Sequence, residues 1–314
     1  MLNLDRLKEK TRKGLRPLRE LDVFLAAPLE QAFLLFSRPS SHPLLFILGL
    51  PRTGTTLVYQ YVVHRLQVAY FTNGVGRFYL APCLATWVQR TLNSEYESDF
   101  MSEYGSVLGP MAPQEAGRFW GRFFDFEDYV SPEHVSPQSR RKLRRTIACV
   151  QRLFGNPLLV NKNVKHILRI PVLDAIFPNA FFLRVERDHV DVALSLLRAR
   201  YANLEDPSDW WSARPPNHQD LQDLPRDEQI ARQVKALDRK VETDLSKIPS
   251  DRVLRINYQA FCNGPDALIR TIQSRIQPTE FRNPKKERFR PSTNTAQTQE
   301  EKRLVERIKA LDLS

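Results

Sequence analysis

The run Leu44-Leu45-Phe46-Ile47-Leu48 is apolar throughout. It breaks into Gly49-Leu50-Pro51-Arg52-Thr53-Gly54-Thr55-Thr56-Leu57. An unbroken apolar stretch of that length, bounded by Gly and Pro, reads as a strand buried on both faces. Gly49, Pro51 and Gly54 punctuate a tight turn, and Thr53, Thr55 and Thr56 lead into an apolar helical pattern over roughly residues 55–67. A strand, a Gly-containing loop and a helix start together build an anion site. The first N–H groups of the helix have no partner inside it, and the positive end of the helix dipole points into the loop.

The P-loop of nucleotide triphosphatases has two glycines at this spacing followed by Lys and then Ser or Thr. Here Gly49 and Gly54 keep the spacing, but Thr55 stands in the lysine's place and the cation has moved inside the loop, to Arg52. Without that lysine, which holds the β- and γ-phosphates, ATP or GTP hydrolysis is disfavoured. The segment Leu-Pro-Arg-Thr-Gly-Thr-Thr-Leu closely resembles the 5′-phosphosulfate loop of sulfotransferases, especially the bacterial-type branch with Pro-Arg-[Ser/Thr]-Gly-Thr-Thr. The alternative, an ordinary strand-to-helix turn that binds nothing, would need a run of consecutive matches by accident.

Further strands are expected at 157–160, 180–187 and 252–257, and a short strand and turn at 70–76. Helices are expected at 77–92, 136–155, through residue 173 after the second strand, and at 189–201, 228–246, 265–277 and 298–313, with Pro137 opening the second of these and Asp188 capping the helix at 189. The Pro- and Trp-rich residues 203–226 read as a loop or lid. Strands alternating with helices predict an α/β fold: a three-layer α/β/α sandwich, P-loop-like, with a central, mostly parallel sheet. Residues 1–40 form a separate expectation, an amphipathic helical arm ahead of a domain spanning 41–314. The aromatics from Phe119 to Tyr129 could line an acceptor pocket but are more readily core.

Ligands of open parallel sheets sit at the carboxyl ends of the strands, so the residues just after each strand carry the most information. After the third comes Arg187-Asp-His-Val-Asp-Val-Ala-Leu-Ser195, which resembles the second sulfotransferase motif. In that motif an Arg and a later Ser hold the 3′-phosphate of 3′-phosphoadenosine 5′-phosphosulfate, and Arg187 and Ser195 match them. His189 stands where the family usually has Pro. After the second strand, Lys162-Asn-Val-Lys-His166 resembles a Lys-Ser-Pro-x-His segment, without its Ser-Pro. The resemblance implies that Lys162 neutralises charge as the sulfuryl group leaves, and it makes His166 a candidate base. Pro113-Gln-Glu115 resembles a segment that carries the base in related enzymes, and burial could raise a carboxylate there toward working pH. A surface glutamate is the alternative. Arg288 and Arg290 lie where relatives place a basic segment over the 3′-phosphate.

The formal charge of +11, from 47 Lys+Arg against 36 Asp+Glu, favours anionic ligands without choosing among them. Cys83, Cys149 and Cys262 are in no metal-ligand spacing and read as free buried thiols of a reducing compartment. No stretch is long and apolar enough for a membrane span, and the charged first residues do not suit a signal peptide, so a cytoplasmic location is expected. Basic, leucine-rich residues 1–37 would either pack on the core or touch an anionic membrane surface, making the protein membrane-associated.

The resemblance thus implies a metal-independent sulfotransferase. It would use 3′-phosphoadenosine 5′-phosphosulfate as donor, leave adenosine 3′,5′-bisphosphate, and take a glycan, lipid or small metabolite as acceptor, with no nucleic acid as partner. Arg52, Thr53, Gly54, Thr55 and Thr56 would hold the 5′-phosphosulfate. A sulfuryl group carries less charge than a phosphoryl group, so no magnesium cradle is needed. The rivals are an atypical P-loop kinase or NTPase and a non-enzymatic basic binder of nucleic acid or anionic membrane, which would bind with steep salt dependence.

Overall fold

Leu44–Leu48 forms strand β1, and none of its residues is more than 4% exposed. It is central because it is apolar on both faces. β2 (Leu159–Lys162) pairs with it on one side and β3 (Ala180–Glu186) on the other, with β4 (Val253–Asn257) beyond β3. All pairings are parallel, in the order β2-β1-β3-β4. Beyond β2, Ala69 adds a single parallel bridge to Leu159. Phe46 stacks on Phe182 at 5.8 Å between ring centroids, joining two strands through the core. The computed structural model describes residues 26, 28–37, 42–92, 96–124, 129–155, 158–277, 279–283, 285 and 287–312.

Helices flank this sheet. They are α1 (Thr55–Arg65), α2 (Asn73–Arg77), α3 (Pro82–Thr91), α4 (Gly117–Trp120), α5 (Pro137–Leu153), α6 (Ile170–Ile176), α7 (His189–Asn203), α8 (Arg226–Leu245), α9 (Tyr258–Asn263), α10 (Asp266–Arg275) and α11 (Gln299–Asp312). α1 packs on β1 and β2, α7 and α8 pack with α11, and α3 packs on α5. The sheet is therefore the parallel, helix-covered α/β sheet that the alternating pattern predicts.

The chain runs from β1 outward to β2, then returns past β1 to β3 and β4. The strand order reverses between β1 and β3, and a crevice opens outside the carboxyl ends at such a point. The loop after β1 and Arg187 after β3 meet there.

Local expectations differ from the structure in a few places. Residues 70–76 do not form a strand and turn: Thr72 bridges Pro113, and its side chain accepts from Val75 N at 3.1 Å to cap α2. A Thr cap wins over the glycines, which are kept small by their neighbours, since a Cβ on Gly76 would lie 1.6 Å from Gln114. The helix expected over 77–92 begins only at Pro82, which fits the first helical position. The second strand lies two residues later than 157–160, and a 3₁₀ turn at Val164–Leu168 precedes α6.

The expected arm divides. Residues 28–35 are helical and packed on the body. Buried Glu30 accepts from Cys83 N and Leu84 N, both at 3.0 Å, and so caps the N-terminus of α3. Leu34 packs with Cys83 and Cys149. The amphipathic pattern before residue 26 lies outside the described residues. Among those described, no helix is long and apolar enough to cross a membrane, and the three cysteines are buried and free.

Candidate active site

The loop after β1 is tightly constrained. A Cβ on Gly49 would lie 2.3 Å from Thr53 Oγ1, and one on Gly54 would lie 2.2 Å from the Tyr258 ring. Gly54 caps α1 at φ +85°, a left-handed conformation that glycine adopts without steric cost. Arg52 sits at φ +71°, strained for a residue with a Cβ. Its side chain is held in compensation: Nε donates to Ser195 Oγ at 3.1 Å, and the guanidinium lies 5.3 Å from the Tyr104 ring. Burial lowers the Arg52 pKa from its usual value, with Tyr104 opposing and Arg187 adding to the effect. Thr53 is buried and donates its hydroxyl to Leu50 O at 2.8 Å, so it closes the turn from inside.

Arg187 enters from the end of β3. Its guanidinium donates to Arg52 O at 3.1 Å and to Ser292, and it lies 4.8 Å from the Tyr258 ring. Nε stands 3.8 Å from Asp191. Asp188 accepts from Asp191 N at 3.0 Å and caps α7.

Lys162 ends β2 beside the loop. Its ammonium donates to Thr56 Oγ1 at 3.2 Å and forms an ion pair with Glu115 Oε1. The other carboxylate oxygen, Oε2, accepts from Val164 N at 3.3 Å, while Asn163 Nδ2 holds the Glu115 carbonyl at 3.0 Å. A proton acceptor, a cation and the start of the anion loop are thereby joined into one hydrogen-bonded row.

These groups open on a cavity of about 810 Å³ lined by Arg52, Gly54, Thr55, Thr56, Glu115, Lys162 and Arg187. Its apolar lining includes Phe100, Met101, Val107 and Trp211. A ligand with anionic groups fits: the guanidiniums of Arg52, Arg118 and Arg187 and the ammonium of Lys162 all line the cavity.

Other expected residues lie elsewhere. Thr53 and Ser195 are outside the cavity lining and act on the loop from behind. Arg288 and Arg290 are exposed and do not line it. His166 is separated from it altogether. The ring is fully buried, at edge-to-face contact with Phe46 and Trp120. Asn161 Oδ1 accepts from Trp120 Nε1, a donor only, at 2.9 Å, and lies 2.8 Å from His166 Nε2, which must then be the protonated nitrogen. Burial holds the imidazole pKa well below its ordinary value. Of the aromatics from Phe119 to Tyr129, Phe119, Trp120 and Phe124 are buried core, Phe123 and Tyr129 are half-buried, and Phe126 lies outside the described residues.

Tyr104, Tyr258 and Ser292 belong to the site but carried no sequence signal of their own. Of the three, only Tyr258 has a position that marks it, directly after β4 at the same carboxyl edge as the other three anchors.

The sulfotransferase family's model matches residues 43–279. Among curated proteins, the omega-hydroxy-beta-dihydromenaquinone-9 sulfotransferases Stf3 of Mycobacterium bovis and Mycobacterium tuberculosis are each 23% identical over 261 residues. That match covers 76% of this chain and 64% of theirs. The chain thus spans just under two thirds of the relatives' length. Sulfotransferase STF9 from Mycobacterium avium superposes with a TM-score of 0.51 at 14% identity, covering 88% of this chain and 70% of that one. STF1 from Mycobacterium tuberculosis H37Rv gives 0.50 at 14%, covering 76% and 68%. At these identities the likeness is one of fold. The family match takes in the loop, Glu115, Lys162 and Arg187 together, and on it the chain belongs to the sulfotransferase family.

Proposed function

We propose that this protein moves a sulfuryl group from 3′-phosphoadenosine 5′-phosphosulfate to a hydroxyl or amine of an acceptor in the cavity. The observation that carries the reading is the row Thr56–Lys162–Glu115 beside the anion loop, with Arg187 clamped at the switch point. The donor would supply an activated sulfuryl group on a mixed phosphoric–sulfuric anhydride, whose bridging oxygen leaves with the 5′-phosphate. The first N–H groups of α1, with Thr55, Thr56 and Arg52, hold its charged end. Arg187 selects the 3′-phosphate, and Ser195 acts through Arg52, whose guanidinium it orients. Lys162 reaches both Thr56 and Glu115, so it can stabilise charge building on the leaving oxygen. Glu115 Oε1 is the proton acceptor for the incoming hydroxyl. His166, buried and committed to Asn161, serves as packing rather than as a base.

Phe100, Met101, Val107 and Trp211 in the lining suit an acceptor with an apolar body. The Stf3 relatives, which by name act on a hydroxylated menaquinone, are of that kind.

Calorimetric titration with adenosine 3′,5′-bisphosphate, against 5′-AMP and ATP–magnesium, tests the donor half without an acceptor. The bisphosphate should bind in the micromolar range, AMP much more weakly, and magnesium should make no difference. Preference for ATP–magnesium would overturn the reading in favour of a kinase. Arg187→Ala should weaken bisphosphate binding roughly tenfold to a hundredfold, the scale of a lost charge-assisted contact.

A further inference from the structure

A flank built from residues 28–36, α3 and α5 has properties that the cavity does not account for. Leu29 is 59% exposed, Leu35 79%, Phe36 84%, Trp87 48% and Leu92 71%. Exposed apolar side chains are unremarkable singly, but clustered they mark a contact surface. The elements that carry these side chains pack on one another. Phe33 lies 6.2 Å from Trp87, Arg152 of α5 donates to Phe36 O at 3.4 Å, and Leu34 sits between Cys83 of α3 and Cys149 of α5.

The same flank is basic. α5 exposes Arg141, Lys142, Arg144, Arg145 and Arg152, and no acidic residue occurs in Pro137–Leu153. Arg141, Arg145 and Arg152 fall on one stripe of the helix, the stripe beside Phe36. Lys142 feels the charges of both Arg122 and buried Glu30, which places it at the junction with residues 28–35. Large apolar side chains next to a one-sign row of cations are complementary to an anionic lipid surface. The headgroups meet the cations, and the apolar side chains enter the headgroup–acyl boundary.

We propose that this flank docks the protein on an anionic membrane surface, with Leu35, Phe36 and Trp87 as the inserted side chains and the α5 stripe as the electrostatic contact. The contact is therefore made by folded elements of the body rather than by residues 1–37 alone. Its position relative to the cavity is suited to the task. An apolar groove of about 190 Å³, lined by Ala26, Phe78, Leu84 and Val88, lies on this side. α2 is the wall between the two spaces, with Gly74 on the groove and Asn73 and Gly76 on the cavity.

The test uses the full chain and extruded vesicles of phosphatidylcholine, alone or with an equal part of phosphatidylglycerol. Sedimentation should show binding to the anionic vesicles, at least tenfold weaker on phosphatidylcholine alone. Arg141→Glu with Arg145→Glu should weaken it roughly tenfold or more, and Leu35→Ser with Phe36→Ser should weaken it on both lipids. Phospholipid brominated on its acyl chains should quench tryptophan fluorescence in the wild type, and Trp87→Phe should remove that quenching. All these positions are exposed, so thermal midpoints should stay unchanged. Failure to bind anionic vesicles, binding indifferent to both paired variants, or quenching that survives Trp87→Phe would each overturn the proposal. So would a dimer that hides Trp87 without lipid. None of these readouts depends on sulfuryl transfer, so the two proposals fail separately.

Discussion

Glu115 and Lys162 illustrate how two ordinary side chains become a site. Lys162 ends a buried strand and is itself only 5% exposed, so its charge needs a partner, and Glu115 is the nearest carboxylate. Glu115 comes from the irregular stretch before α4 and is fixed there by Asn163 and Val164. Glu115→Gln should keep bisphosphate affinity within about threefold, yet slow transfer by about a hundredfold or more. Titration measures the first, and bisphosphate release in the presence of acceptor the second. Unchanged transfer would remove Glu115 from the base role.

His166 leads to a stability prediction instead. Its native pKa is held well below the ordinary 6.5. Below that pH the unfolded chain binds a proton that the folded chain refuses, so stability is complete above about 6.5 and lost as pH falls beneath it. The urea midpoint should drop from about pH 7 to pH 5, and His166→Gln, which retains a donor for Asn161, should flatten the drop. An equal decline in the variant would assign the effect to other groups.

At the scale of elements, the loop from β1 to α1 is legible because everything that defines it is contiguous: apolar strand, two glycines, one cation, threonines. Gly54→Ala tests it directly. The substitution meets both a positive φ and the Tyr258 ring, so it should destabilise the fold by about 1–3 kcal/mol and weaken bisphosphate binding. Thermal unfolding and titration read the two effects. Binding at wild-type strength would mean that the loop does not hold the anion. The motif after β3 is legible for the same reason, yet only in part. Ser195 is where the motif puts it, but its hydroxyl turns to Arg52, a contact 143 residues distant. Tyr104 and Ser292 come from segments without regular structure, placed by packing rather than by a pattern. α2 was hidden by Gly74 and Gly76, which look like turn residues until Gln89 and Gln114 are seen pressed against them.

At the scale of the whole molecule, the last part of the chain returns to the site from the far edge of the sheet. Arg65 holds Asn283 O and Lys285 O, Phe289 N donates to Cys262 O at 3.1 Å, and Ser292 meets Arg187. Asn294 N donates to Asp191 at 2.6 Å, and Arg198 reaches Asn294 and Thr295. The strap ends in a capping box on α11, where Glu301 Oε2 accepts from Thr298 N and Thr298 Oγ1 accepts from Glu301 N, each at 3.2 Å. Arg198 also bonds Glu301, and this contact is the main reason that the carboxyl pKa is pushed down to about 2. A depressed carboxylate contributes stability above its unfolded value of 4.5, and the contribution is lost as pH falls through about 2. Glu301→Gln should therefore cost about 1–2 kcal/mol at neutral pH, and the gap to wild type should close in acid. Because the strap carries Ser292 to Arg187, bisphosphate binding should weaken as well, by about two- to fivefold. Urea titrations at neutral and acid pH, with calorimetry at neutral pH, measure both. A stability loss without any change in affinity would show that Arg187 is positioned by Arg52 and Tyr258 alone, and that the strap is structural.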